Sequence, residues 1–242
     1  MRDDATSTAL NAYLLGCVEF DALLALQRRL VYDVGGDRDT AAVVVCDHPP
    51  GVTIGREGSR VHVRPSPEEL NSREWRVRWV SRGGGAMLHL PGQVAGYPIL
   101  ALDRLRITPA AYLAELQSVV VELLRDYDIT GTPDADQPGV RVNGRRIAHV
   151  GVAVRDWVSC FGIVPNVNPD LEPFRDVYCD GDFEPMTSMQ RESPLRVRVP
   201  GVRQRLVELL AGRFGFGRVS VFHNHPVLPP KPDHHAATAR TR

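Results

Sequence analysis

Arg82-Gly83-Gly84-Gly85-Ala86-Met87-Leu88-His89-Leu90-Pro91-Gly92-Gln93-Val94-Ala95-Gly96-Tyr97-Pro98-Ile99 is the stretch on which the reading of this chain turns. Three glycines stand between an arginine and a short apolar run that carries a histidine. Glycine lets a backbone approach a ligand closely because it has no Cβ. Arginine adds a permanent charge and a fork of donors. Such a segment lines a binding slot with main-chain groups; a plain strand–turn–strand connection reads the same way on composition alone.

Outward from this stretch the chain alternates helical and extended patterns. Trp75 to Ser81 alternates arginine with apolar residues, as a half-buried strand does. Before it, Ala41–Cys46 is a β-branched run ended by His48-Pro49-Pro50-Gly51, and Val52–Arg56 restarts the strand pattern. Residues 17–33 carry apolar positions at helical spacing (Phe20, Leu23, Leu24, Leu26, Leu30). Thr108-Pro109 opens a second helix through about Arg125, with proline where a helix tolerates it best. Asn143-Gly144 marks a two-residue hairpin turn between Val140–Val142 and a strand reaching about Val154. Trp157–Val164 reads as that strand's partner, and Pro200–Arg213 as a third helix with Val202, Leu206, Leu209 and Leu210 on one stripe. Strands and helices mix without regular βαβ alternation, so the expectation is a single α+β domain over 1–222. The Pro/His-rich tail, 223–242, is expected to be disordered.

Composition narrows the function classes. The 242 residues carry 29 basic and 29 acidic side chains, so net charge gives no argument for nucleic acid. No apolar run reaches the roughly 18 residues of a membrane helix, and the polar N-terminus is not followed by a signal-peptide core. A cytoplasmic protein without membrane attachment is expected. Cys17, Cys46, Cys160 and Cys179 form no Cys-x-x-Cys pair, and the tail histidines (His223, His225, His234, His235) have no metal-ligand spacing. Nearly all the positive charge is arginine: the only lysine is Lys231.

Five blocks, in order, resemble the lipoyl(octanoyl) transferase family, also called lipoate-protein ligase B. They are His48-Pro49-Pro50 with Thr53-Ile54-Gly55-Arg56; Arg82 to Ile99; Asn143-Gly144-Arg145-Arg146-Ile147-Ala148 with Gly151-Val152; Asn166 to Leu171 with Phe174; and Cys179 followed by Thr187-Ser188-Met189. The resemblance spans roughly residues 10–210. It implies the biotin/lipoate protein ligase catalytic fold, a mixed sheet flanked by helices. It also implies movement of an octanoyl chain from octanoyl-acyl carrier protein to a lysine of a lipoyl domain. The acceptors would be the lipoyl domains of 2-oxoacid dehydrogenase complexes or the glycine cleavage H protein. No cofactor or metal is implied.

On this resemblance Cys179 is the nucleophile, taking the acyl group as a thioester that the acceptor amine then attacks. Exchange onto sulfur is nearly even in energy, and thiolate is both a good nucleophile and a good leaving group. The Asp180-Gly181 turn signal after Cys179 argues against deep burial. The acyl slot maps onto Arg82, Gly83, Gly84, Gly85, Ala86, Met87, Leu88 and His89, then His149, Val150 and Gly151, then Gly162, Ile163 and Val164. Met87, Leu88, Val150, Ile163 and Val164 are the candidate channel lining or, equally, ordinary core. Each methylene buried in such a channel contributes about 0.8 kcal/mol.

The match departs from the family at four places and gains a histidine at a fifth. Arg146 stands where the family has a catalytic lysine. A fixed guanidinium stabilises a thiolate but does not give up its proton. Leu88, Leu90 and Phe161 replace the family's tyrosine, glycine and histidine, and His149 adds an imidazole at a position that is usually small. In a regular strand Arg146 and His149 point to opposite faces, so His149 is not an obvious substitute base, and His89, where the family has its histidine, or bulk water is left to manage the proton. The alternatives are a paralogue with another acyl donor or acceptor, and a non-catalytic protein that binds acyl carrier protein or a lipoyl domain. An ATP-dependent ligase of the related fold fits poorly, because the body has no lysine and Cys179 would have no role. Arg60, Arg64, Arg73, Arg76 and Arg78 are a candidate docking patch for an acidic carrier protein or, equally, an ordinary solvated face.

Overall fold

The computed structural model describes residues 9–134, 136–179 and 183–228. Strand β1 (Ala9–Cys17) leads into helix α1 (Phe20–Gly36), which returns the chain so that β2 (Thr40–Asp47) lies parallel beside β1. β3 (Gly51–Ile54), the short helix α2 (Pro67–Ser72), β4 (Arg76–Trp79) and β5 (Ala86–His89) follow. Next come β6 (Ala95–Ile99), α3 (Pro109–Arg125), β7 (Thr132–Pro133), β8 (Gly139–Val142), β9 (Arg145–Arg155) and β10 (Val158–Pro165). The short helix α4 (Met189–Glu192), α5 (Val199–Phe214) and β11 (Arg218–Phe222) complete the chain.

Eight strands form one mixed sheet in the order β11-β1-β2-β6-β10-β9-β8-β7, and three form a small sheet in the order β4-β3-β5. Local chemistry explains the boundaries. Thr108 caps α3 through its side chain, and Pro109 occupies the first turn, where no amide donor is missed. Asn143 and Gly144 both have positive φ (51° and 75°), the geometry of a type I′ turn, which joins β8 to β9. Gly215 ends α5 in the left-handed conformation.

Three apolar layers result. On one face of the large sheet, α3 and α5 cover Val43, Val45, Val150 and Ile163. On the other face, α1 packs on Val44, Tyr97 and Val164, and Met87 of the small sheet joins this layer. The far side of the small sheet buries Val52, Ile54, Ala86 and Leu88 against Leu70, Trp75, Phe174, Cys179 and Met186. Full burial of a leucine such as Leu23, Leu88 or Leu116 is worth about 1.5–3 kcal/mol.

The observed elements depart from the sequence expectations at several ends. α1 begins at Phe20 rather than residue 17, because Cys17 still pairs with Asp47 in the β1–β2 ladder. The expected 75–81 strand is four residues long, since the glycine loop takes over. The body does not stop at 222. His225 stacks edge-on against Tyr13, with ring centroids 5.1 Å apart, and Leu228 packs on the α1 layer. The rest of the expected disordered tail, with His234 and His235, lies outside the described residues. No helix among those described is long and apolar enough to cross a membrane.

Candidate functional site

The Arg82 loop is clasped from both sides. Gly55, Arg56 and Glu57 donate their amides to the carbonyls of Gly85, Arg82 and Gly84 at 3.0, 3.0 and 3.3 Å. On the other side Gly83 N–H donates to Val152 O of β9 at 2.9 Å. Two glycines outside the loop make this fit possible. A Cβ on Gly55 would strike the Gly84 carbonyl, and one on Gly151 would lie 3.0 Å from Arg82 Cδ. The structure therefore brings Arg82–Gly85 beside Gly151, two separate segments of the expected slot.

Arg82 is buried, and its fork is spent on fixed acceptors. Nη2 donates to both the carbonyl and the hydroxyl oxygen of Thr53 at 3.0 Å, and Nη1 donates to Gly83 O at 3.0 Å. Thr53 Oγ1 is also 2.9 Å from His89 Nε2, so one hydroxyl ties the arginine to the histidine. His89 packs its ring against Phe20 and His48, and its Nδ1 is buried without a hydrogen-bond partner. Burial, then His48, Arg82 and His149, hold its pKa well below the usual histidine range, so the ring is neutral. His48 donates from Nδ1 to Val18 O at 2.7 Å, which leaves Nε2 to accept from Tyr97 OH at 3.0 Å. Burial pushes its pKa down to about 4, against a smaller opposing effect of the Val18 carbonyl.

The apolar candidates divide among all three layers. Met87 and Val164 face the α1 layer between the two sheets, and Leu88 and Ala86 face the layer that holds Cys179. Val150 and Ile163, paired in the β9–β10 ladder, point under α3 and α5, away from the Arg82 loop. Of the two roles open to these residues, channel lining or core, both take the core: strand alternation puts their side chains on the face of the sheet away from the Arg82 loop. Gly162 sits opposite Gly151, and Phe161 before it has a positive φ of 60°.

Cys179 is 1 % exposed, packed with Leu88, Phe174, Val177 and Met186, and its Sγ lies 3.9 Å from Val177 O. The expectation that a following turn keeps it near the surface is overturned, because the segment folds inward under the small sheet. Asp180 and Gly181 themselves lie outside the described residues.

Arg146 is wholly buried, and carboxylates meet it. Nε donates to Glu184, Nη2 lies 3.5 Å from Asp134 and donates to Gln137 Oε1 at 3.0 Å, and Nη1 reaches the carbonyls of Gln137 (3.4 Å) and Pro138 (3.3 Å). Its backbone pairs with Pro185 O and Thr187 N, both at 2.9 Å. That pairing lays Met186, a neighbour of Cys179, alongside β9. A cavity of about 360 Å³ opens beside this cluster, lined by Asp134, Asp136, Gln137, Arg141, Phe183, Glu184 and Pro185. His149 is 4 % exposed, opposite Gly139 on one side and Val164 on the other. The regular-strand expectation that Arg146 and His149 point apart is overturned: the β8–β9 register slips at Ile147, so Arg146 and His149 face Arg141 and Gly139 on one side of the sheet, and the Arg146 guanidinium fills the space where Gly139 would carry a Cβ.

The expected arginine docking patch is largely committed elsewhere. Arg73 pairs with Asp176 (2.5 Å) and Arg78 with Asp21 (2.6 Å), Arg60 binds the Val63 and Pro65 carbonyls, and Arg64 lies over the Tyr178 ring. Arg76 is exposed. The carboxylates that hold Arg146 were not singled out from sequence. Glu184 and Asp134 lie 38 and 12 positions from it, and no spacing rule links them.

The model of the lipoyl protein ligase A/B catalytic domain matches residues 21–211. The octanoyltransferase of Syntrophobacter fumaroxidans is 39 % identical over 164 residues, 66 % of this chain and 70 % of that protein. That of Geobacter metallireducens is 32 % identical over 203 residues, 84 % and 90 % of the two chains. Among solved structures, a lipoate-protein ligase A bound with ATP superposes with a TM-score of 0.76 over 91 % of both chains at 14 % identity, a likeness of fold. The chain thus belongs to the lipoyl protein ligase A/B catalytic-domain family, among its lipoyl(octanoyl) transferases.

Proposed function

We propose that this protein is an octanoyltransferase that takes its acyl group from octanoyl-acyl carrier protein as a thioester on Cys179. It then passes the group to a lysine of a lipoyl domain, as carried by 2-oxoacid dehydrogenase complexes or the glycine cleavage H protein. The observation that carries the reading is the Arg82–Gly85 loop, clasped between Gly55–Glu57 and Val152 with its following strand packed on the Cys179 layer. A glycine loop so held presents main-chain groups to a carbonyl without needing to move at the moment of reaction. Met87 and Val164 supply the apolar wall between the sheets for the acyl chain. In the first step the Cys179 thiolate attacks the donor thioester and the carrier's thiol leaves. In the second the acceptor amine attacks and Cys179 leaves.

In this reading Arg146 supplies the fixed positive charge of the usual lysine, while Glu184 and Asp134 hold it in place. The test is the intact mass of the protein after incubation with octanoyl-acyl carrier protein, beside Cys179→Ser. An octanoyl adduct on the parent and none on the variant is the expected result. An equal adduct on both removes Cys179 from the mechanism. No adduct on the folded parent, with an active control enzyme alongside, favours a binding role instead.

A further inference from the structure

Transfer to an amine releases a proton, and the guanidinium that replaces the family's lysine does not accept one. The acceptor is then water or another group, and His89 and His149 are the imidazoles beside the Arg82 loop with a buried nitrogen that lacks a partner among the described residues. Of the two, His149 shares a face with Gly151, over which the Arg82 side chain lies, and its opposite number on β10 is Val164 of the layer between the sheets. Its Nε2 is buried and, among the described residues, has no hydrogen-bond partner. A buried polar atom left unpaired costs about 1–3 kcal/mol, so one kept beside the Arg82 loop is a place where a substrate donor fits.

We propose that His149 Nε2 is the proton acceptor for the incoming lysine of the lipoyl domain. This rests on the acyl-transfer reading above. The lysine arrives as the free amine, and its lone pair forms the N–C bond to the thioester carbonyl. The C–S bond breaks and its electron pair goes to Sγ of Cys179. The surplus proton on the new amide nitrogen passes to His149 Nε2 and then to the thiolate or water, which returns the imidazole to its neutral state. Nitrogen bonded to the tetrahedral carbon is far more acidic than a free ammonium, so a weakly basic imidazole suffices.

The surroundings keep the imidazole ready for this role. Arg146 on its own strand, Arg141 on β8 and Arg82 on the glycine loop all face it, with His89 of β5 as the neighbouring imidazole. Burial first, and these guanidinium charges next, hold its pKa well below the usual histidine range. Its lone pair is therefore free throughout the neutral range.

The experiment separates the two half-reactions. Parent, His149→Gln and His149→Ser are mixed rapidly with octanoyl-acyl carrier protein and then with an unmodified lipoyl domain, and the Cys179 adduct is followed by mass. Glutamine is close to histidine in size and takes no proton, so it tests the chemistry even if serine leaves a damaging cavity. The expected result is acyl transfer to the lipoyl domain slowed about 100-fold relative to adduct formation, with the adduct accumulating and free imidazole restoring part of the rate in His149→Ser. Transfer within about twofold of the parent in His149→Gln, or equal slowing of both half-reactions, overturns the proposal while leaving the thioester reading intact. Failure of the parent to form an adduct overturns both.

Discussion

Acid should destabilise this fold through its buried histidines, and His48 allows the effect to be sized. Its pKa falls from 6.5 to about 4 because burial disfavours the charged ring. The unfolded chain therefore binds a proton below pH 6.5 that the folded chain takes up only near pH 4. Stability is lost as pH falls through that window. At pH 5 the unfolded histidine is almost fully protonated and the folded one about one-tenth so, a loss of about 2 kcal/mol that grows to about 3 kcal/mol below pH 4. His89 and His149 act with the same sign. The assay is urea unfolding at pH 7 and pH 5 for the parent and for His48→Asn, whose amide replaces Nδ1 as donor to Val18 O. The variant starts less stable, because Tyr97 OH loses its acceptor, but its difference between the two pH values should be smaller than the parent's by about 2 kcal/mol. Equal pH dependence in the two proteins would refute the picture of a neutral, proton-excluding His48.

Thr53→Val removes the hydroxyl shared by Arg82 and His89 and leaves both short of a partner. A cost of about 2 kcal/mol, seen as a melting temperature lower by about 5 °C, is expected, and an unmoved melt argues against the bridge. Arg146→Lys keeps the charge but cannot serve Glu184, Asp134, Gln137 and two carbonyls at once. Urea unfolding should show a loss of about 2 kcal/mol, while transfer to a lipoyl domain is kept or raised; a large fall in transfer shows that the guanidinium itself is needed. Gly144→Ala places a side chain at φ +75° in open space. It should cost about 1 kcal/mol with turnover unchanged, and a turnover loss would mean that the β8–β9 turn touches the site.

Signals confined to a few neighbouring residues proved legible. Thr108-Pro109 and Asn143-Gly144 set their own dihedral angles and caps, so α3 and the β8–β9 hairpin follow directly from sequence. β1 and β11 carry no such punctuation. Their pairing partners are fixed by residues tens of positions away, and the short alternation Arg218-Val219-Ser220-Val221 says nothing of which strand it will join. The motif order located the Arg82 loop and its contact with β9. It did not fix which way Val150 and Ile163 face, because facing depends on which layer covers each side of the sheet. Nor did a turn signal at Asp180-Gly181 reveal the burial of Cys179, which depends on the 183–188 segment pairing with Arg146.

The pairing around Arg146 bears on how this chain could change over generations. One side chain there satisfies two carboxylates, a glutamine and two carbonyls, while Gly139 leaves room for its tip. The fitness of any residue at 146 is thus conditional on 134, 137, 139 and 184 together. A lysine at 146 leaves those positions matched to a fork that is no longer there, and loss of one of its carboxylates alone leaves the arginine short of a partner. An arginine so held is entrenched: position 146 changes smoothly only with a concerted set of replacements around it.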